Sequence, residues 1–254
     1  MLNTPTPDKH DEVVDLRTIG ILGGMSSQAT AEYYRLLNDG INRELGGHHA
    51  AEVLIYSVNF QNIERFIRSE QWDDAAAYLA EKAHQLERGG ADFVIMATNT
   101  MHKVAPQITD ALSIPFVHIV DPTADAITES GLGTIGVLGT RATMEMPAYL
   151  NRFSDHGIEV IVPGEAARER IDAIIFDELV RDVIREESRA EYVEIIEELV
   201  ESGAEGIVLG CTEIELLVKS EDVPDIPLFD TTALHVERAV KLSLPTDSSD
   251  KAEE

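Results

Sequence analysis

Short apolar runs alternate along the chain with longer stretches in which apolar residues recur at helical spacing. The short runs are rich in Ile, Val and Leu and often end in glycine, as strands buried on both faces of a sheet do. We predict eight strands, at 19–24, 53–59, 93–98, 116–120, 134–140, 159–163, 206–211 and 227–230. We predict helices near 27–45, 72–89, 104–112, 122–130, 141–155, 165–181, 188–202 and 231–243. This alternation predicts an α/β fold of parallel sheets flanked by helices.

An internal repeat indicates two similar halves. IGILGG at residue 19 resembles IGVLGT at 135, and VIMATNT at 94 resembles VLGCTE at 208, with nearly equal separations in the two halves. Chance similarity of glycine-ended strands is the alternative. The repeat predicts two α/β domains with a ligand cleft between them, at the carboxyl ends of the strands. The predicted boundaries are 17–117 for the first domain, 118–224 for the second, 225–243 returning to the first, and flexible tails at 1–16 and 245–254.

The charge balance excludes two classes of partner. The 254 residues include 47 Asp and Glu against 20 Lys and Arg, a formal net charge of −27. Such a surface is a poor partner for nucleic acid and for an anionic membrane. The charge has two interpretations, a solubilising coat and adaptation to high salt, where screening weakens self-repulsion.

The cysteine content and the length of the apolar runs indicate the cellular compartment. Cys211 is the one cysteine, which excludes an intramolecular disulfide and a multi-cysteine metal site. No apolar run approaches the ~20 residues of a membrane span, and the first residues are polar. We expect a cytoplasmic protein.

Four strand ends carry polar residues suited to chemistry: GGMSSQAT from residue 23, ATNTMHK from 97, GTRATM from 139 and GCTEIELL from 210. Their hydroxyls and helix-capping positions could hold a carboxylate, although each could also be an ordinary cap. Cys211 lies where a strand gives way to a helix, a position that favours thiolate, although free cysteine is often simply buried. His102 could act as a base, but a histidine in a cap is more often structural. No metal-ligand set and no GxSxG motif occurs.

With these motifs, the chain resembles the aspartate/glutamate racemase family. The resemblance is carried by GGMSSQATAEYY, TNTMHK, GTRATME and GCTEI, in order, and covers nearly all of 18–243. It implies two similar α/β domains, a cleft site and a homodimer. It also implies racemisation of a small acidic amino acid without pyridoxal phosphate, metal or any other cofactor.

The catalytic pair implied by the resemblance departs from the family pattern. The family uses two cysteines on opposite sides of the substrate α-carbon, one removing the proton and the other returning it. Here Cys211 matches the second cysteine, and Thr98 stands at the position of the first. A hydroxyl is far less acidic than a thiol, whose pKa is about 8.5. Three alternatives therefore stay open: Thr98 relays protons, Cys211 acts on one face only, or the protein catalyses a different one-cysteine reaction.

The resemblance also implies a set of substrate contacts, at the positions of this sequence that match the family's motifs. Arg65 and Arg181 could pair a substrate side-chain carboxylate, although an exposed ion pair is the alternative for both. Glu213 is expected either to orient Cys211 or to be a first-turn helix charge. The full set of expected binding residues is Met25, Ser26, Asn59, Gln61, Arg65, Asn99, Thr100, Thr140, Thr143, Arg181 and Thr212.

Two other functions stay open at this level. A decarboxylase or cis-trans isomerase acting on a dicarboxylate would need only the single cysteine. A non-catalytic carboxylate-binding protein would need none. Release of carbon dioxide or loss of a maleate-type substrate identifies the first, and binding without α-proton exchange identifies the second.

The charge of −27 generates a test of salt adaptation. We expect the melting temperature to rise between about 0.1 M and about 2 M KCl, because screening reduces repulsion among the carboxylates. Circular dichroism melts at several salt concentrations measure this. Maximal stability in dilute buffer would contradict the high-salt interpretation.

Overall fold

The structure, a computed structural model, describes residues 13–245. Its strands are β1 (Ile19–Gly23), β2 (Val53–Ser57), β3 (Phe93–Met96), β4 (Phe116–Val117), β5 (Thr134–Gly139), β6 (Glu159–Ile161), β7 (Gly206–Gly210) and β8 (Leu228–Asp230). Its α-helices are α1 (Ser27–Leu45), α2 (Phe60–Arg68), α3 (Trp72–Arg88), α4 (Ala105–Asp110), α5 (Val120–Glu129), α6 (Arg141–Met144), α7 (Pro147–Asp155), α8 (Glu165–Asp177), α9 (Glu186–Glu201), α10 (Ile214–Leu217) and α11 (Thr231–Ser243). Two 3-10 turns cover Thr100–Val104 and Leu179–Arg181.

The strands form two parallel sheets of the same topology. The first has the order β2-β1-β3-β4 and the second β6-β5-β7-β8. Each strand of the first sheet thus has a counterpart at the same place in the second, as the sequence repeat predicted. Parallel strands buried by helices on both faces account for the near-continuous apolar runs. The predicted fold class is confirmed.

Each sheet separates two apolar layers, because alternate residues of a strand point to opposite faces. On the first sheet Ile19 and Ile21 face α1 and α11, whereas Leu22 faces α2, α3 and α4. On the second, Leu209 faces α8, α9 and α10, whereas Val208 faces α5 and α7. The carboxyl ends of the strands are left free of this packing and carry the polar motifs.

The chain end crosses from the second sheet to the first. β8 pairs with β7, so residues 228–230 of the predicted return lie in the second sheet. The segment that packs on the first sheet is α11, whose Val236 and Val240 join the same apolar cluster as Ile19. Leu16, expected in a flexible tail, is buried in this cluster too. The rest of both predicted tails lies almost entirely outside the described residues.

Two predicted helices are interrupted for local reasons. The segment 141–155 divides into α6 and α7, because Pro147 opens α7 and the residue before a proline avoids helical backbone. The segment 165–181 ends as an α-helix at Asp177, and the chain then turns through Asp182, whose φ is +57°. The segment 104–112 begins earlier, as the 3-10 turn at Thr100. Helix α2 was not predicted.

No helix among the described residues is both long enough and apolar enough to cross a membrane.

Gly24 is required where β1 turns toward α1. Its φ is +88°, and a Cβ there would lie 2.3 Å from the carbonyl oxygen of Val58. We expect Gly24→Ala to lower the free energy of unfolding by more than about 3 kcal/mol, because strain and a backbone clash add. Urea denaturation measures the change.

Gly131→Ala is the matched control for that substitution. Gly131 also has a positive φ, +75°, but has open space around the added methyl group. A loss of about 1–2 kcal/mol is expected there, from backbone strain alone. Equal losses in the two variants would contradict the role of the Val58 contact.

Candidate active site

A cleft of about 490 Å³ opens between the two sheets, at the carboxyl ends of the strands. Both domains contribute strand-end loops and helix starts to it. Its lining includes eight of the residues expected from the sequence: Met25, Ser26, Thr98, Asn99, Thr100, Thr140, Cys211 and Thr212. The motifs that are far apart in the sequence therefore meet at one site.

Thr98 and Cys211 occupy equivalent places in the two domains. Thr98 follows β3, and Cys211 follows β7, the counterpart of β3 in the second sheet. Both are partly buried and line the same cleft. Two related domains thus present one candidate acid/base group each to a shared space.

The Cys211 thiol is held by a carboxylate. Its Sγ donates a hydrogen bond to Glu213 Oε2 at 3.0 Å, and the Thr212 hydroxyl donates to the same oxygen at 2.6 Å. Burial first, and then the Glu213 charge and hydrogen bond, raise the pKa of Cys211 well above its ordinary value. The expectation that a helix start favours thiolate is therefore wrong for this structure, because burial, and then Glu213, raise the thiol pKa and α10 is only a single turn.

The Asn99 side chain joins the two domains at the cleft. The Tyr149 hydroxyl donates to Asn99 Oδ1 at 2.9 Å, and Asn99 Nδ2 donates to Thr231 Oγ1 at 3.1 Å. Thr231 in turn donates to the carbonyl oxygen of Leu209 at 3.0 Å. The amide expected to bind substrate is therefore engaged in a buried series of hydrogen bonds. The series ends at the carbonyl group of Leu209, two residues before Cys211.

Hydroxyl groups from both domains also cluster at the cleft, one of them on Thr100, the residue after Asn99. Thr140 Oγ1 lies 3.1 Å from Thr143 Oγ1 and 3.4 Å from Thr100 Oγ1, so the contact spans the cleft. Thr143 is fully buried behind Thr140 and does not line the cleft itself. Ser26 caps α1 by accepting from the Ala29 N–H at 3.1 Å, which places the start of this helix at the cleft.

His102 fixes the backbone at Thr98. Ile119 N–H donates to Nε2 of His102 at 3.2 Å, so Nδ1 carries the proton and donates to the Thr98 carbonyl oxygen at 2.7 Å. Burial, together with the neighbouring His118 and His235, lowers the pKa of His102 well below its ordinary value. The ring is therefore neutral and structural, and it does not line the cleft.

Besides Thr143, four of the expected contacts are not brought to the cleft lining. Asn59 caps α2 by accepting from the Gln61 N–H at 3.1 Å, and Gln61 bonds Glu64 on the exposed face. Arg65 is exposed, with its guanidinium 5.1 Å from the Phe66 ring. Arg181 is exposed in the 3-10 turn after α8. Both arginines are exposed, and neither forms an ion pair with a carboxylate of the described residues.

Other side chains reach the cleft that the sequence did not single out. Arg141 lines it, but its guanidinium bonds Glu145 at 3.0 Å and Glu169 at 3.2 Å. Asp172 also lines it and accepts from the Arg141 backbone N–H at 2.7 Å. Arg141 could have been found from the sequence, because it lies inside the GTRATM motif. Asp172 lies in the middle of α8, outside every motif, so nothing in the sequence indicated it.

Within residues 13–245, no group of three or more His, Cys, Asp or Glu side chains is placed to hold a metal ion.

Comparisons with known proteins agree with this architecture. The model of the Asp/Glu/Hydantoin racemase family matches residues 22–239. A proposed Asp/Glu racemase from Yersinia pestis is 43% identical, over 89% of this chain and 98% of that one, with a TM-score of 0.85. An aspartate racemase homologue from Pyrococcus horikoshii is 34% identical over the same shares, with a TM-score of 0.78. The broad specificity amino-acid racemase RacX of Bacillus subtilis is 26% identical, over 91% of this chain and 100% of that one.

The fold and the cleft are those of a two-domain racemase, an isomerase. The chain belongs to the Asp/Glu/hydantoin racemase family. The resemblance found in the four motifs is thereby confirmed, and so is the expectation that the protein is an enzyme of this class.

The contact between Cys211 and Glu213 generates a test by thiol labelling. We expect Glu213→Gln to lower the pKa of the Cys211 thiol, because a negative charge that opposes thiolate formation is removed. The rate of iodoacetamide alkylation then rises with pH at a lower midpoint. Cys211 is the one cysteine, so the signal belongs to it alone.

The control for the labelling test is Glu221→Gln, which removes the same charge from an exposed position. An unchanged alkylation profile is expected there. A Glu213→Gln profile equal to that of the unaltered protein would contradict the proposed influence of Glu213 on the thiol.

Proposed function

We propose that the protein is a cofactor-independent racemase of a small acidic amino acid, aspartate or glutamate. Cys211 and Thr98 are proposed to act on opposite faces of the substrate α-carbon. The observation that carries the proposal is their equivalence, since each follows the third strand of its sheet and both line one cleft. Inversion requires proton removal on one face and delivery on the other, which two such groups can supply.

The proton transfers balance within the cleft and its water. Glu213 accepts the Sγ proton of Cys211, and the thiolate formed takes the substrate α-proton. The electron pair passes into the α-carboxylate, giving an enediolate. The Thr98 hydroxyl donates a proton to the opposite face, and the proton held on Glu213 returns through water to Thr98. A high thiol pKa makes Cys211 a strong base once it has been deprotonated.

Hydroxyls and a helix start are proposed to hold the α-carboxylate. Thr100, Thr140 and Thr212 line the cleft from both domains. Helix α1 begins at the cleft, and the free N–H groups of a first turn attract an anion. Donors fixed in this way stabilise the charge of the enediolate more than that of the substrate. Thr143 is proposed to support Thr140 from behind.

The residues at the cleft support chemistry without pyridoxal phosphate. The described residues that line it include no lysine, the residue with which such enzymes form a Schiff base. The acidic substrate is supported by the family description. A homodimer, a cytoplasmic location and a high-salt habitat stay predictions.

Proton exchange in heavy water tests the proposal. L-aspartate and L-glutamate are incubated with the protein at low and molar salt, and α-deuterium is read by NMR together with chirality. We expect deuterated D-product. Cys211→Ser is expected to lower exchange at least about 100-fold, because the main base is removed. Thr98→Ala is expected to lower inversion more than exchange, and Thr128→Ala, a threonine of α5, is the matched control.

The outcomes separate the rival functions. Undiminished exchange in Cys211→Ser would contradict the proposed base. Exchange with retained configuration would show that only Cys211 acts. No exchange, with release of carbon dioxide or loss of a maleate-type substrate, would favour a reaction on a dicarboxylate, and binding alone would favour a carboxylate-binding protein.

A further inference from the structure

One part of the cleft is apolar on both sides. We call it the apolar wall, and it consists of Phe60, Ile63, Ile67, Ile175, Phe176 and Val180. Helix α2 of the first domain supplies three of these residues, and α8 with the turn after it supplies the other three. The wall is therefore built by both domains, as the polar site is.

Three of the six residues of the apolar wall are exposed to solvent. Ile63 and Ile175 are fully buried in the cores of their domains. Phe60 is 44% exposed, Phe176 is 51% exposed and Val180 is 41% exposed, although all three face the cleft. Phenylalanine is usually buried, and one exposed phenylalanine from each domain at a ligand cleft marks surface that a ligand can cover.

The charges of the lining offer little to an acidic side chain. Arg141 is the single basic side chain among the described lining residues, and it is already paired with Glu145 and Glu169. Glu145, Asp172 and Glu213 add three carboxylates to the same lining. A second carboxylate on the substrate is repelled by these groups, whereas an apolar side chain is not.

The size of the cleft fits a larger substrate than aspartate. Its volume of about 490 Å³ lies in the range that holds drug-sized ligands, roughly 300–1,000 Å³. We infer that the cleft takes amino acids with apolar side chains as a second substrate class, with the side chain against the apolar wall. This inference rests on the proposed racemase function and concerns the same site.

A substrate panel tests the inference. Exchange of the α-proton in heavy water is measured for L-leucine, L-methionine and L-phenylalanine beside L-aspartate and L-glutamate. We expect the best apolar substrate to reach a kcat/KM within about tenfold of the best acidic one, or above it. A value more than about tenfold lower overturns the inference and leaves the racemase proposal intact. Absence of exchange for all five overturns both.

A charge placed in the wall gives a second test. Phe176→Arg is expected to raise the ratio of acidic to apolar exchange about tenfold, because it removes apolar surface and adds a cation. Val200→Arg is the matched control, since Val200 is 37% exposed on α9 and does not line the cleft. We expect the control to keep the ratio of acidic to apolar exchange found in the unaltered protein, although it changes the net charge by the same amount as Phe176→Arg. An unchanged ratio in Phe176→Arg would overturn the role of the wall.

Discussion

The buried amide of Asn99 sets the distance between the two halves of the site. It accepts from Tyr149 of the second domain and donates to Thr231 at the start of the last helix. Thr231 is bonded to the strand that precedes Cys211, so the loop carrying Thr98 is connected to that strand by two hydrogen bonds in series. An amide has donors and an acceptor at fixed angles, and an apolar residue of the same size could not hold both neighbours. The geometry of the cleft therefore depends on this side chain, together with the Thr100–Thr140 contact.

Much of the fold was predictable because strand signals are local. Runs such as those around Ile21 and Val208 are apolar, β-branched and ended by glycine, and each became a buried parallel strand. The polar strand ends were predictable as one site because topology brings carboxyl ends of parallel strands together. The breaks within helices were predicted less well. The sequence predicted one helix over 141–155, whereas the structure starts a new helix, α7, at Pro147.

The details of the site depended on contacts between distant residues. Burial, and then Glu213, reverse the expected effect of a helix start on the pKa of Cys211, and only the side-chain geometry shows that Glu213 points to the thiol. The exposure of Arg65 and Arg181 likewise follows from how α2 and the 3-10 turn after α8 lie on their domains, not from their helical spacing. Asp172 reaches the cleft from within a helix that carries no motif.

The packing of α11 has a consequence for folding during synthesis. This helix is the last described element of the chain, yet Val236, Ala239 and Val240 complete the apolar cluster that includes Ile19 and Leu37 of the first domain. Domains usually fold in the order in which they leave the ribosome. Here the first domain exposes part of its core until α11 has been made, whereas the second sheet is completed earlier, by β8. The amino-terminal half is then the half that needs protection from aggregation while the chain is being made.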